Sequence, residues 1–257
     1  MAPVNPSLLF EEAHLLLRRQ TTVKSLLEPS PDDLQTIYII IGMSIFILIV
    51  WHIPYVNYIL YPFKVLTIGL HEFGHASATI LTGGHVDGIE LDPNLGGVTH
   101  TKGGIATISL PAGYIGSTFW GSLMLFAGFD VTASKWVSIV VAGVLLLLLI
   151  WARNWLARGI AISFAALIVL LFIFVPVALR YAMLWMGTMS ALYSLYDIVD
   201  DLIKRRVNES DASQFSRVCG RGILSPKVWG VLWLLIAIIF VAASIIGAII
   251  AFKNVQN

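Results

Sequence analysis

Seven apolar runs, each close to the thickness of a bilayer when wound as a helix, leave this chain almost no choice of fold class. They cover residues 37–53, 59–81, 110–128, 136–151, 159–179, 181–202 and 228–252. About 17–25 apolar residues cross the ~30 Å hydrocarbon layer as a helix. Over 257 residues the composition is 58% hydrophobic and only 12% charged, about half the charge of a soluble domain. The expected architecture is therefore an all-α polytopic membrane protein. Only Val175-Pro176-Val177 and Arg180 separate the fifth run from the sixth, so six to seven transmembrane helices are expected.

The remaining sequence sets the organisation. Residues 1–36 are polar and proline-punctuated and carry Arg18, Arg19 and Lys24 without the apolar core of a cleavable signal peptide. They read as a tail in which 8–19 forms either a short interfacial helix or a frayed segment. A transmembrane domain follows over 37–252, with its core at 60–205 and a basic loop at 203–227, and then a short tail at 253–257. Lysine and arginine accumulate in cytosolic loops, and seven spans with a cytosolic N-terminus would gather about twelve basic residues on that side against about four on the other. The sequon Asn208-Glu209-Ser210 then faces the cytosol and stays unmodified. The single cysteine, Cys219, excludes an internal disulfide framework. With 16 basic and 15 acidic residues there is no basic surface for nucleic acid. The expected partners are the lipid bilayer and a membrane-protein substrate. With no retrieval signal in FKNVQN, an endomembrane (endoplasmic reticulum or Golgi) and the plasma membrane fit equally.

The second run breaks its own pattern with His71-Glu72-Phe73-Gly74-His75, a HExxH motif. On a helix the two histidines lie four residues apart on one face, so both imidazoles can reach one ion. Glu72 stands beside them, poorly placed as a ligand but able to take a proton from water that the ion has acidified. Ionisable groups inside a span are costly unless a metal or polar partners satisfy them, which favours a metal site over a mere polar patch between helices. A catalytic Zn2+ needs a third protein ligand and an open position. Carboxylates run into an apolar helix again at Asp197, Asp200 and Asp201, which share nearly one face. Asp197, the deepest, is the expected third ligand, and Asp200 and Asp201 are the alternatives, unless they are solvated residues paired with Lys204 and Arg205.

Between the second and third runs, TGGHVDGIELDPNLGGVTHTKGG has paired glycines, an Asp92-Pro93-Asn94 turn and short alternating segments. These predict a small β-hairpin at the membrane edge. Turn chemistry accounts for Asp92 and Asn94, and His85 and His100 read as ordinary surface histidines. Gly113, Gly116 and Gly121 put small residues at helical spacing, as close helix packing requires.

HEFGHASATILTGG, the glycine-rich GIELDPNLGGVTHTKGG and LPAGYIGS together resemble the site-2-protease-like intramembrane zinc metalloproteases, in particular their B-like subgroup of small polytopic members. The resemblance covers about residues 60–205. It implies intramembrane proteolysis, with His71 and His75 as zinc ligands, Glu72 as catalytic base and a downstream aspartate closing the site. Better-known members take that aspartate from an Asp-Gly motif that follows an Asn-Pro or similar turn, and no such motif appears here; SLYDIVDD stands in its place. Two other functions compete with a zinc metalloprotease: a catalytically silent scaffold that binds membrane clients, and a metal-handling transporter. Glu72 argues against the scaffold, and the lack of internal repeats argues against the transporter.

Overall fold

The computed structural model describes residues 25–92, 96–203 (side chains to residue 199), 210–219 and 222–253. In chain order the elements are α1 (Pro31–His52), a 3-10 turn (Val56–Leu60), α2 (Tyr61–Leu81), β1 (His85–Asp92), β2 (Gly96–Lys102), α3 (Ala106–Ala127), α4 (Val131–Trp151), α5 (Trp155–Phe174), α6 (Pro176–Ile203), α7 (Asp211–Val218) and α8 (Pro226–Phe252). The chain is predominantly helical with one small antiparallel sheet, as its hydropathy pattern requires. Helix starts follow local chemistry. Ser30 and Asp33 form a reciprocal capping box on α1, Asp130 caps α4, and Asn154 caps α5. The break between α5 and α6 falls at Pro176, which has no N–H to continue a helix.

Four of these helices, α1, α4, α5 and α8, are long and apolar enough to cross a membrane. They are the less buried ones, presenting Ile41, Ile150, Ile173 and Ile239 outward. Helices α2, α3 and α6 pack among them. Their apposed faces are small and hydroxylated: Ser194 donates to the Ser117 hydroxyl at 2.9 Å, and a side chain at Gly121 would press on Ser190. Close packing of small residues together with interhelical hydrogen bonds, rather than apolar burial, joins helices in lipid.

Side-chain pairs fix the direction of each helix. Along α1 and α6, Thr36 meets Arg180, Phe46 meets Trp185, and Trp51 stacks on Tyr193, so these two run parallel. Helix α3 runs against α6, with the Gly128 carbonyl just beyond its end accepting from Arg180 and Ser117 reaching Ser194. Helix α8 runs with α3, pairing Trp233 with Tyr114, Phe240 with Phe119 and Phe252 with Phe126. Lys253, at the end of α8, donates to the carbonyls of Ser25 and Glu28, just before α1. The start of α1 and the end of α8 therefore share one face of the bundle. Among the described residues, six helices traverse it. Helix α2 does not: it begins at mid-depth, with Leu60 against Met189 and Phe63 against Trp185, and emerges beside the start of α3.

Among the described residues this geometry gives six traverses and one re-entrant helix, the lower of the two expected counts. It also separates the start of α1 from Lys102, Arg153, Arg158, Arg217 and Lys227, which lie on the opposite face. The arrangement expected from charge put all of these on one side. Length and hydropathy could not make this distinction, because a 21-residue helix that returns to its own face has the length of one that crosses.

The hairpin forms where predicted. It is antiparallel, pairs Glu90 with Val98 and Leu91 with Gly97, and has a register irregularity between Val86 and Gly88. Arg153 donates to the Asp87 carbonyl, and Asn154 donates to that of Leu91 at 2.7 Å. Strand β1 is thereby tied to the α4–α5 connection, and β2 faces α2.

Candidate metal centre

The residues of the motif are placed by close backbone contact. At the crossing of α2 and α3, a side chain at Gly74 would fall on the Ala112 carbonyl, and one at Gly113 would fall on the Nε2 atoms of both His71 and His75. The glycines let α3 pass directly over the imidazoles. His75 Nδ1 lies 2.7 Å from the Ser109 carbonyl. A carbonyl only accepts, so Nδ1 carries the hydrogen and Nε2 presents a bare lone pair. The His71 ring is held edge-on to Tyr114, with centroids 4.8 Å apart.

The carboxylate that meets these two nitrogens belongs to Asp211. Its Oδ2 is 3.0 Å from His71 Nε2 and 3.2 Å from His75 Nε2, and the two nitrogens are 3.0 Å apart. Asp211 opens α7, where Ser210 caps the helix and the exposed N–H groups favour negative charge. Burial works to raise its pKa, but the two imidazoles beside it, His75 first, outweigh this and hold the group well below the usual carboxylate range. The three atoms form the one group of metal-capable His, Cys, Asp and Glu side chains among the described residues. Three protein ligands on tetrahedral zinc with bonds of about 2.0–2.1 Å stand ~3.3 Å apart. The observed triangle of 3.0, 3.0 and 3.2 Å is close to that figure. Without a shared proton or a cation at its centre, three lone pairs at this spacing would repel, so the donor set fits zinc.

Asp197, the third ligand expected from the sequence, lines the same cavity but lies outside this group. The physical reason is topological. Helix α6 passes along the cavity wall, and the chain then returns through α7, whose first turn points its carboxylate at the imidazoles. The side chains of Asp200 and Asp201 lie outside the described residues, as do residues 8–19, Asn94 and Asn208. Asp211 sits in a polar segment where a carboxylate draws no notice. Its signal is the Ser210-Asp211-Ala212 helix start, with alanine where the Asp-Gly pattern has glycine.

Glu72 is buried, at 4% exposure, and its Oε2 accepts from the Thr99 hydroxyl at 2.6 Å. Strand β2 thus fixes the carboxylate, and Gly97 leaves the space it occupies. The cavity is about 330 Å3, and β2 contributes Gly96, Gly97, Val98, Thr99 and Thr101 to it. His85 and His100 pair instead with Asp87 and Glu90 on the outer part of the hairpin.

No curated protein and no solved structure matches the chain. A protein-family model, described as Peptidase M50B-like, matches residues 40–244. That match runs from within α1 to within α8 and includes the re-entrant helix and every residue of the His71–His75–Asp211 group, and it assigns this integral membrane protein to the M50B-like peptidases.

Proposed function

We propose that the chain is an intramembrane zinc metalloendopeptidase that cuts peptide bonds of membrane-embedded or membrane-adjacent substrates. The observation that carries this reading is the triangle of His71 Nε2, His75 Nε2 and Asp211 Oδ2, with a buried glutamate beside it. Zinc held there supplies a Lewis acid that polarises a carbonyl and acidifies water. The remaining steps belong to the chain. Ser109 fixes the His75 tautomer, and Tyr114 and the α3 backbone fix the planes of the rings. Glu72, with Oε2 held by Thr99, takes a proton from water and passes it to the leaving amine. A helical substrate must unwind before its carbonyls are open to attack. Strand β1 is occupied by the α4–α5 connection, so β2, which lines the cavity, is the edge on which an extended segment pairs.

The test is cleavage of single-span peptides by protein reconstituted in vesicles, with and without zinc. Native protein should cleave in a zinc-dependent way, and Glu72→Gln should bind zinc without cleaving. If native, zinc-loaded protein binds such peptides but leaves them intact, the scaffold reading replaces this one. The site faces the side of the bundle that carries Lys102, Arg153, Arg158, Arg217 and Lys227; the positive-inside rule favours the cytosol for that side, which would reverse the cytosolic N-terminus expected from the sequence.

A further inference from the structure

Strand β2 is paired on one side and open on the other, and the hydrogen bonds of β1 identify which of its main-chain groups lie on the open side. The Ile89 carbonyl accepts from the Arg153 N–H at 2.9 Å, and the N–H and carbonyl of Leu91 both meet the Asn154 side chain. A strand residue points its N–H and carbonyl to the same side, and antiparallel partners alternate between bonding each other and turning apart. Ile89 and Leu91 turn toward the α4–α5 connection, so their partners Thr99 and Gly97 turn the opposite way. The N–H and carbonyl groups of Gly97 and Thr99 therefore face the cavity that both residues line, and among the described residues nothing bonds them.

Glu72 fixes where along this edge chemistry takes place. Its Oε2 accepts from the Thr99 hydroxyl at 2.6 Å, and a Cβ on Gly97 would lie 2.5 Å from its Oε1. The carboxylate is thus level with Val98, whose own side chain points to the other face and is 54% exposed. A segment paired antiparallel on the edge bonds β2 through every second residue. Those residues are the ones opposite Thr99 and Gly97. The carbonyl of the residue between them, opposite Val98, points away from β2 into the cavity that holds His71 and His75. The next N–H is held by the Gly97 carbonyl, beside Glu72. That peptide bond is the one presented for cleavage.

Side-chain direction follows from the same register, because facing residues put their side chains on one face of a sheet. The residues opposite Thr99 and Gly97 direct theirs at α2, where Ile68, His71 and Glu72 already stand. The cavity, at about 330 Å3, is near the lower end of the ~300–1,000 Å3 of small-molecule pockets, so main chain leaves little room there beyond a methyl or hydroxyl on each flank. The residue opposite Val98 directs its side chain outward and meets no such limit. Resting on the peptidase reading above, we propose that the substrate is an extended segment bonded to the main chain of Gly97 and Thr99 and cut after the residue opposite Val98. Glycine, alanine or serine stands immediately before and after that residue, and the residue itself is unrestricted.

The experiment uses full-length protein in phosphatidylcholine vesicles and single-span peptides with a run of glycine, alanine and serine at the membrane edge. Mass spectrometry locates the cut. Leucine placed on either neighbour of the residue that precedes the cut should slow cleavage about tenfold or more, as overpacking does, and leucine on that residue itself should change it less than about threefold. The reverse pattern would set the register off by one and overturn the proposal. The register is read without activity in Glu72→Gln protein that also carries Val98→Cys and Cys219→Ser, so that the introduced thiol is its only one. Facing residues that do not bond each other have Cα atoms about 4.5 Å apart, within disulfide reach. Cysteine scanned through the peptide should form a disulfide about tenfold faster at the residue preceding the cut than at either neighbour. Equal rates at all positions, or a maximum at a neighbour, overturn the proposal, and zinc-dependent cleavage by native protein then leaves the peptidase reading intact. If native protein cleaves nothing but the disulfides still peak at one residue between small neighbours, the peptidase reading fails and the pairing on β2 stands.

Discussion

Gly113→Ala tests the metal centre at a residue that is not a ligand. A methyl there would sit 2.6 Å from His75 Cε1 and directly on both Nε2 atoms. Favourable contacts begin near 3.5 Å, so the rings must move by at least ~0.9 Å. Helix α3 cannot retreat as a unit without breaking its contact with α2, where a Cβ at Gly116 would already lie 3.1 Å from Gly74 Cα. Metal–ligand distances tolerate about 0.2 Å, so the imidazoles cannot keep a triangle of 3.0–3.2 Å. Disturbing partners that only orient ligands costs 10–100-fold in metal affinity. Displacing two ligands should cost about 100-fold or more, equivalent to ~2.7 kcal/mol. The assay is zinc retention against graded chelator in detergent-purified protein. Gly143→Ala is the control, because a Cβ there meets nothing within 4 Å. Native zinc affinity in Gly113→Ala would refute the placement of α3 over the histidines.

Other expectations are as direct. Asp211→Asn should abolish stoichiometric zinc, whereas Asp197→Asn should retain it; metal analysis of the two proteins decides between the carboxylates. Tags on the two ends of the chain should be protected from protease together in sealed vesicles, because α1 begins and α8 ends on one face; opposite protection would refute six traverses. Lys102 holds the Asp87 carboxyl below its ordinary pKa through a 2.7 Å ion pair. A depressed folded value means that the contribution is complete above the unfolded pKa of ~3.9 and fades as pH falls through the folded value. The protection of the hairpin amides, with the intrinsic pH dependence of exchange divided out, should therefore be flat from neutral pH to about 5 and fall only below about 4. A loss of protection between pH 7 and 6 would exclude Asp87 as its cause.

The sequence disclosed the features that repeat or punctuate. Apolar runs gave the long helices, paired glycines gave the hairpin, and the four-residue spacing of His71 and His75 brought two nitrogens together. It concealed features that depend on relative placement. The polar residues of α2 mark it as an inner helix, but no local pattern says that it turns back at mid-depth. Asp197 was visible because a carboxylate in an apolar helix is conspicuous, and Asp211 was not, because a carboxylate in a polar loop is ordinary. What selects Asp211 is the return of the chain through α7, a long-range event with no signature at residue 211 itself. Loop charge grouped the start of α1 with Lys102, Arg153, Arg158, Arg217 and Lys227, although the packing sets it on the opposite face.

His71 and Asp211 are 140 residues apart in the chain, and this has a consequence for biogenesis. A ribosome makes the histidines early, when α2 has none of its flanking helices and is itself too polar to rest among lipids. Helices α3, α4 and α6 must be in place before α2 has a polar cleft to occupy, and the third donor is synthesised only after all of them. On the zinc reading, metal capture is thus the last act of assembly. An unfinished chain then carries two histidines without their third donor, and hydrolytic competence would wait until the bundle around them is complete.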